Sequence, residues 1–228
     1  MQNLIIVDFP LRGEWQALNT PAKKIPSHGT DQLGQTYAYD FIRLDWAKKG
    51  MQFYNSSPLR YLIFGVPLTK CYGWGEPIYS PCDGKVIKVE DGVKERQIVN
   101  FFSDLFVVIK NAFTFNPYKS GLRPLVGNHI IMKCDNGAFS LLAHMQTGSI
   151  VVTAGQTVTH GQLLGRVGHS GNSTAPHLHF QLMDNPDLIQ AQGIPCAFRE
   201  YEVFCNTQWN TIRDGVPSDK DRIRLTKT

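Results

Sequence analysis

Short apolar runs separated by glycine-containing turns make up most of this sequence, and they restrict the folds that the chain can adopt. The segments 76–90 and 127–145 each contain two such runs joined by a turn, with Asp-Gly at 83–84 and Asn-Gly at 136–137. These dipeptides favour the positive backbone angles that tight hairpins require. Strand and turn units repeated at this spacing predict a mainly β fold built from antiparallel sheets.

The composition is that of a folded protein of modest charge. Hydrophobic residues make up 42% of the 228 residues and charged residues 18%, which is enough for a sizeable core and atypical of disorder. The net charge of +4 would suit an anionic partner such as a cell-wall polymer, but it is not typical of nucleic-acid binding. We therefore expect no nucleic-acid partner, and the oligomeric state is not predicted.

Neither a transmembrane nor a targeting segment is expected. No apolar run reaches the roughly 18 residues that suggest a membrane span. Residues 1–15 have no basic region, and their apolar stretch is short and interrupted by Asp8 and Pro10, which is unlike a signal peptide. The localisation is therefore cytoplasmic by default, or export follows a route that this sequence does not encode.

Five cysteines are present, at positions 71, 82, 134, 196 and 205. Their spacing is irregular, their number is odd, and none forms a CxxC pair. A disulfide framework is not implied by such a pattern. We expect reduced thiols, most of them buried, because free cysteine is among the most buried residue types.

Two segments, 46–75 and 91–127, interrupt the β pattern. In the second, apolar residues recur at intervals of three and four, as in an amphipathic helix; they are Ile98, Phe102, Leu105, Val108 and Ile109. The spacing predicts a helix around 94–113 inserted between strands. It would either cover a cleft or pack as part of the core, and core packing is the favoured interpretation. A membrane-surface helix is disfavoured because Lys94, Arg96 and Lys110 do not form a strongly basic face.

The domain organisation expected from these patterns is simple. Residues 1–206 form a single β domain that carries the two insertions. Residues 207–228 are mostly polar, and they are predicted to be a peripheral C-terminal tail.

Two histidines stand one residue apart in the apolar run APHLHFQL, at 175–182. On a strand, residues i and i+2 point to the same face. His177 and His179 would therefore lie side by side, while Leu178 and Phe180 pack into the opposite face. Two neighbouring imidazoles on a rigid strand are suited to a metal site or to an acid and base pair.

Other side chains in the sequence could complete such a site. His144 ends an apolar strand, His28 lies in a polar loop, and Asp40 is a single carboxylate among apolar and aromatic residues. A buried carboxylate is costly unless it is paired or binds a metal, whereas Asp31 suits a solvated turn better. Three protein ligands and a water are typical of a catalytic zinc, which would leave two imidazoles for proton transfer. The remaining histidines, His129, His160 and His169, are interpreted as ordinary hydrogen-bonded residues.

The order of these pieces resembles a known family. The segments 76–90 and 127–183, with the block STAPHLHF preceded by LLAHM, look like the lysostaphin-type zinc metallopeptidases, which are peptidoglycan and glycyl-glycine endopeptidases. Nearly every fixed position of the family motif is matched from Val151 to Phe180. The resemblance implies antiparallel sheets that form an open groove, a duplicated hybrid motif similar to a barrel-sandwich. It also implies a Zn²⁺ cofactor, a peptide or peptidoglycan substrate, and hydrolysis by a zinc-activated water.

By position, the resemblance implies that His179 is a zinc ligand and that His144 and His177 are the catalytic histidines. The family takes its other two ligands from a His-x-x-x-Asp motif. Here His28 is followed four residues later by Gln32, so the carboxylate is assigned to Asp40, with the intervening loop as an insertion. Which histidine acts as the base is left open.

Three other functional classes compete with this hypothesis. A relative of the same fold could bind zinc or act as a scaffold without catalysis. A lipoyl or biotinyl carrier domain would share the strand and turn rhythm, but the predicted hairpins lack the exposed lysine that such domains modify. A cupin-like iron oxygenase would also use two histidines and one carboxylate.

Overall fold

The computed structural model describes residues 4–48, 50–114 and 121–225. The strands are β1 (Ile5–Val7), β2 (Gly13–Asn19), β3 (Tyr39–Ile42), β4 (Val66–Pro67), β5 (Pro77–Tyr79), β6 (Gly84–Glu90), β7 (Ile98–Val99), β8 (Asn128–Cys134), β9 (Phe139–Met145), β10 (Thr157–Val158), β11 (Leu163–Arg166), β12 (His177–Met183), β13 (Gly193–Ile194), β14 (Cys196–Cys205), β15 (Gln208–Gly215) and β16 (Ile223–Leu225). The α-helices are α1 (Pro58–Phe64), α2 (Phe101–Thr114) and α3 (Arg123–Val126), and 3-10 helices cover Gln32–Tyr37 and Leu68–Lys70.

A large mixed sheet dominates the described residues. Its strands follow the order β1-β14-β16-β2-β3-β12-β9-β8-β6-β10, with β13 beside β12 and β15 beside β14. The β1 and β14 pair is parallel, and the other pairs in this sheet are antiparallel. Two small antiparallel pairs, β5 with β11 and β4 with β7, complete the strands. The predicted mainly β fold is confirmed.

The strand β12 has one face in the core and the other in the site. Leu178 and Phe180 are fully buried in the main hydrophobic cluster, together with Phe41 of the neighbouring strand β3. His177 and His179 alternate with them and therefore lie on the opposite face. The apolar packing of one face thus holds the histidines of the other face in place.

The inserted helix α2 begins at Phe101, later than the predicted start near residue 94. The side-chain oxygen of Asn100 accepts hydrogen bonds from the backbone amides of Phe102 and Ser103, at 3.0 and 3.2 Å. The amide of Asn100 in turn donates to Oδ2 of Asp104 at 2.9 Å. The side chain of Asn100 thus satisfies two of the free amides of the first turn, so the helix starts here. Ile98, which the helical spacing had included, lies in β7.

The outer face of α2 is exposed, which contradicts the expectation of core packing. Phe102 and Ile109 keep 60% and 47% of their surface in solvent, and Leu105 keeps 39%. Val108 of the same helix instead lines a cleft beside the sheet. The helix is therefore a wall of that cleft. No helix in the described ranges is long and apolar enough to span a bilayer.

The two insertions pack against each other. Strand β4 of the first pairs with β7 of the second, and the two segments share a small hydrophobic cluster. Its buried members are Tyr54, Val66, Leu68, Cys71 and Val99. The segment 46–75 therefore supports the helix that lines the cleft.

The prediction that 207–228 is a peripheral tail is wrong for strand β16. Strand β16 lies between β14 and β2, and Ile223 is completely buried in the main core. Strand β15 pairs with β14 at the margin of the sheet and is largely exposed, which accounts for its polar sequence. A three-residue strand with distant partners leaves no periodic signal that could reveal it.

Two cysteines form a disulfide, which corrects the expectation of reduced thiols. Cys82, which lies two residues before β6, is bonded to Cys134 at the end of the paired strand β8, and their Cα atoms lie 5.8 Å apart. The free thiols are Cys71 and Cys196, both buried, and Cys205, which is exposed. The two bonded residues are 52 positions apart, so only strand pairing brings them together.

Candidate metal centre

Three adjacent strands place the principal side chains of the site in one row. The Cα atom of His179 on β12 lies opposite Asp40 on β3 and opposite Ala143 on β9. His144 follows Ala143 directly, and His177 precedes His179 by two positions on the same face of β12. The register of β3, β12 and β9 therefore gathers side chains from three distant parts of the sequence.

Asp40 bridges two histidines. Its Oδ2 lies 2.8 Å from Nε2 of His28, and its Oδ1 lies 2.9 Å from Nδ1 of His179. These ligand atoms all lie within 4.8 Å of one another. The carboxylate also accepts a hydrogen bond from Nδ2 of Asn19 at 2.7 Å. The structure thus brings together the three side chains that the resemblance implied as ligands.

The donor set fits a divalent metal such as zinc. Two imidazoles and one carboxylate are typical of catalytic zinc sites, which keep a further position open. The second nitrogen of each ring is also engaged, because Nδ1 of His28 lies 3.0 Å from Oγ of Ser27 and Nε2 of His179 lies 2.9 Å from Oε1 of Gln181. Outer partners of this kind orient metal-binding histidines.

Gln181 is a site residue that the sequence interpretation missed. It is completely buried, and its Nε2 donates to the carbonyl of Leu33 at 2.7 Å. That bond orients the amide so that Oε1 accepts a hydrogen bond from the N–H group at Nε2 of His179. The lone pair of the imidazole is then on Nδ1, facing Asp40. The sequence contained a signal for this position, because residue 181 follows 177 and 179 on the same face of the strand.

His177 and His144 each donate a hydrogen bond from a ring nitrogen to a backbone carbonyl. Nδ1 of His177 lies 2.7 Å from the oxygen of Ala175, and Nδ1 of His144 lies 2.9 Å from that of Ser170. In the neutral rings the unprotonated nitrogen is therefore Nε2. The ring centroids are 4.8 Å apart, and Nε2 of His177 lies 3.5 Å from Oδ1 of Asp40.

The backbone at His144 adopts a left-handed conformation, with φ of +60°. Such angles are uncommon outside glycine and concentrate at functional sites. The loop that holds His144 is packed tightly, because a Cβ atom on Gly171 would lie 2.5 Å from the amide nitrogen of Gly127. Both glycines have positive φ angles, so larger residues would displace the loop.

The environment shifts the pKa values of three site residues. Burial disfavours the charged form of Asp40, but the charges of His177 and His28 outweigh it and hold its pKa well below the usual range. Burial also opposes charge on His177, whose pKa is nevertheless raised by Asp40. Burial, followed by the charges of His177 and His179, keeps the pKa of His144 well below its ordinary value.

The five predicted site residues line one cleft of about 370 Å³. Its wall includes Val108 of α2, Leu125 of α3 and Asn172 of the loop before β12. The inserted segment thus contributes directly to the surface that a ligand would contact.

The other candidate residues lie elsewhere. Asp31 is exposed and accepts a hydrogen bond from Thr36, as expected for a solvated turn. His160 is exposed and pairs with Asp83 at 2.9 Å. His129 is buried, with Nδ1 bonded to the carbonyl of Gly127 at 2.8 Å.

The sequence comparison agrees with this geometry. Residues 115–191 match the profile described as Peptidase family M23. The resemblance that the motifs indicated is therefore confirmed. The matched range contains His144, His177 and His179, whereas His28 and Asp40 precede it.

Curated relatives include several cell-wall peptidases. The chain is 35% identical to the peptidoglycan DD-endopeptidase ShyA of Vibrio cholerae over 76 residues, which covers 32% of this chain and 17% of that protein. It is 32% identical to lysostaphin of Staphylococcus simulans over 128 residues, covering 52% and 26%. It is 31% identical to the glycyl-glycine endopeptidase ALE-1 of Staphylococcus capitis over 123 residues, covering 54% and 34%. The match thus spans about a third or less of each of these relatives.

Solved structures show a further likeness. The catalytic domain of lysostaphin from Staphylococcus simulans matches with a TM-score of 0.40 and 18% sequence identity, over 80% of this chain and 88% of that domain. The family match and the curated relatives support a peptidase, which is a hydrolase.

Proposed function

We propose that this chain is a zinc-dependent metalloendopeptidase that hydrolyses peptide bonds in peptidoglycan cross-links or in similar peptides rich in glycine and alanine. The observation that carries the proposal is the convergence of His28, Asp40 and His179 within ligand distance of one another, with His144 and His177 beside them in the same cleft. The substrate class is supported by the relatives, which are named for peptidoglycan and glycyl-glycine bonds.

In this proposal His28 binds the metal through Nε2, Asp40 through a carboxylate oxygen, and His179 through Nδ1. When bound, the zinc ion would polarise the scissile carbonyl and make a water molecule a better nucleophile at neutral pH. Asn19, Ser27 and Gln181 hold the three ligands in orientation through the hydrogen bonds described above.

His144 and His177 carry the proton chemistry in this proposal. Each has Nδ1 bonded to a backbone carbonyl, which leaves Nε2 of the neutral ring able to accept a proton from the attacking water. A ring that has taken up a proton can donate it to the leaving amine or stabilise the negative oxygen of the tetrahedral intermediate. Because the rings are 4.8 Å apart, both are near enough to act on one peptide bond.

Metal analysis combined with a hydrolysis assay tests the proposal. We expect the purified protein to bind one zinc ion and to cleave isolated peptidoglycan or a glycine-rich peptide. His179→Ala should lose both properties, because it removes a ligand, whereas His160→Gln, a change at an exposed histidine outside the cleft, should keep both. Zinc binding without hydrolysis of either substrate would favour a non-catalytic zinc-binding relative, and iron in place of zinc would favour an oxygenase.

A further inference from the structure

A charged pair from the inserted segment reaches the loop that precedes β12. Nε of Arg96 donates to Oδ1 of Asp104 at 2.8 Å, and Asp104 is only 1% exposed. The other two nitrogen atoms of Arg96 donate to residues outside the insertion. Nη1 donates to the carbonyl of Gly171 at 3.1 Å, and Nη2 donates to the carbonyl of Ser173. One guanidinium therefore joins the insertion to two backbone positions of this loop.

The same guanidinium determines the proton position on His169. Nη2 of Arg96 lies 3.1 Å from Nε2 of His169. Since Arg96 has only donors, that ring nitrogen must be the acceptor. The proton of this completely buried ring is then on Nδ1, which lies 3.1 Å from Oγ of Ser173. Asp104 lies near the ring as well, with Oδ1 at 3.6 Å from Nε2.

The hydroxyl of Ser173 lies within hydrogen-bond distance of both His169 and His177. This hydroxyl donates to the carbonyl of Ala175 at 2.7 Å, and its oxygen lies 3.1 Å from Nδ1 of His177. The carbonyl of Ala175 also accepts the Nδ1 proton of His177 at 2.7 Å. The position of the Ser173 hydroxyl thus favours the tautomer of His177 whose Nε2 is unprotonated.

The loop is also tied to the other catalytic candidate and to α2. The carbonyl of Ser170 accepts the Nδ1 proton of His144. Asn172 accepts a hydrogen bond from Nδ2 of Asn111 on α2, at 3.0 Å. The loop 169–173 therefore contacts both imidazoles on one side and the inserted segment on the other.

We propose that Arg96 and Asp104 are positioning residues for the hydrolysis, acting through His169 and Ser173 to hold His177 in its productive orientation and tautomer. The inference rests on the proposed peptidase function for its kinetic consequence. The insertion is then more than a wall of the cleft, because it supplies buried polar groups that orient the catalytic machinery.

A double variant separates positioning from stability. Arg96→Met combined with Asp104→Leu removes an ion pair whose carboxylate is buried and whose guanidinium is partly exposed. Both replacements are apolar side chains of similar size, and exchanging both partners of such a pair is often neutral or stabilising. We expect a folded protein that retains its zinc, a kcat lower by about 10- to 100-fold, and a KM within about two-fold of the wild-type value. Arg123→Met is the matched control, because Arg123 lies on the same insertion but pairs with the surface residue Glu90; it should leave kcat unchanged.

A pair of substitutions at His169 provides an independent test if the double variant does not fold. In His169→Gln the amide oxygen can accept from Arg96 and the amide NH2 can donate to Ser173, so we expect kcat within about three-fold of the wild-type value. His169→Leu can do neither and should lower kcat about 10- to 100-fold. Equal activity of the two variants, or full activity of the folded double variant, would overturn the proposal.

The tautomer of His177 can be measured without any activity. Nitrogen-15 NMR of the neutral imidazole in the wild-type protein should show the proton on Nδ1, and in the double variant or in His169→Leu it should show a mixture of tautomers. An unchanged tautomer in the variants would contradict the inference. If the wild-type protein hydrolysed nothing, the proposed function would fail, while this measurement would still decide whether the insertion controls His177.

Discussion

Asp40 and His179 face each other across the neighbouring strands β3 and β12, with Oδ1 of the carboxylate 2.9 Å from Nδ1 of the imidazole. The two residues are 139 positions apart in the sequence. A shift of one residue in the strand register would turn His179 to the opposite face and Phe180 towards the cleft. The register that the hydrophobic core imposes is therefore also what assembles the proposed metal site.

Removal of the imidazole of His144 or His177 should separate metal binding from turnover. Neither ring belongs to the cluster of His28, Asp40 and His179, so His144→Ala and His177→Ala should each bind zinc in the wild-type amount. Loss of acid and base assistance should lower kcat by roughly 10²- to 10⁴-fold. Metal analysis and peptide hydrolysis provide the measurement, and full activity in either variant would contradict the assignment.

Gln181 should affect metal affinity although it is not one of the proposed ligands. Gln181→Leu removes the oxygen that accepts the Nε2 proton of His179, so the ring would no longer be held with Nδ1 towards Asp40. Loss of such an outer partner typically lowers metal affinity about 10- to 100-fold. Competition with a chromophoric chelator measures the change, and Gln190→Leu, at an exposed glutamine, is the control. Equal zinc affinity in the two variants would exclude an orienting role for Gln181.

His129 should make the metal-free protein less stable in mild acid. Burial lowers its pKa below the ordinary value of 6.5, and its Nε2 is buried without a hydrogen-bond partner among the described residues. The unfolded chain therefore takes up a proton at this residue at a higher pH than the folded chain, and the free energy of unfolding falls as the pH drops below 6.5.

Urea denaturation of wild-type protein and His129→Leu on both sides of that pH measures the effect. The variant should show a shallower loss of stability. His160→Gln is the control, because His160 is exposed. Its pKa is raised by Asp83, so its small contribution has the opposite sign and is lost as the pH rises. Identical pH dependence in wild-type protein and His129→Leu would refute the prediction.

The bond between Cys82 and Cys134 should contribute strongly to stability. Closing a loop of 52 residues lowers the conformational entropy of the unfolded chain. In the chain-entropy description this stabilises the folded state by about 4 kcal/mol. Cys82→Ser combined with Cys134→Ser, or reduction of the wild-type protein, should lower the thermal midpoint by several degrees, as measured by calorimetry. Cys205→Ser, at an exposed free thiol, should not. An unchanged midpoint after reduction would show that the bond adds no stability.

Local sequence patterns were sufficient wherever a residue's role depends on its near neighbours. The alternation around Leu178 and Phe180 predicted both the buried face of β12 and the shared face of His177 and His179. The start of α2 was misplaced because Ile98 fits the helical spacing by chance, while the cap at Asn100 acts through hydrogen bonds that periodicity does not include.

By itself, the sequence determined the mainly β fold and the residue types of the site, because alternation and glycine-containing turns are short-range properties of the chain. Only the tertiary structure decided that His28 lies beside Asp40 and that Cys82 meets Cys134. It also decided that Arg96 reaches the loop before β12. Each of these contacts depends on strand register or on the packing of an insertion, and such long-range pairings leave no periodic trace in the residues that make them.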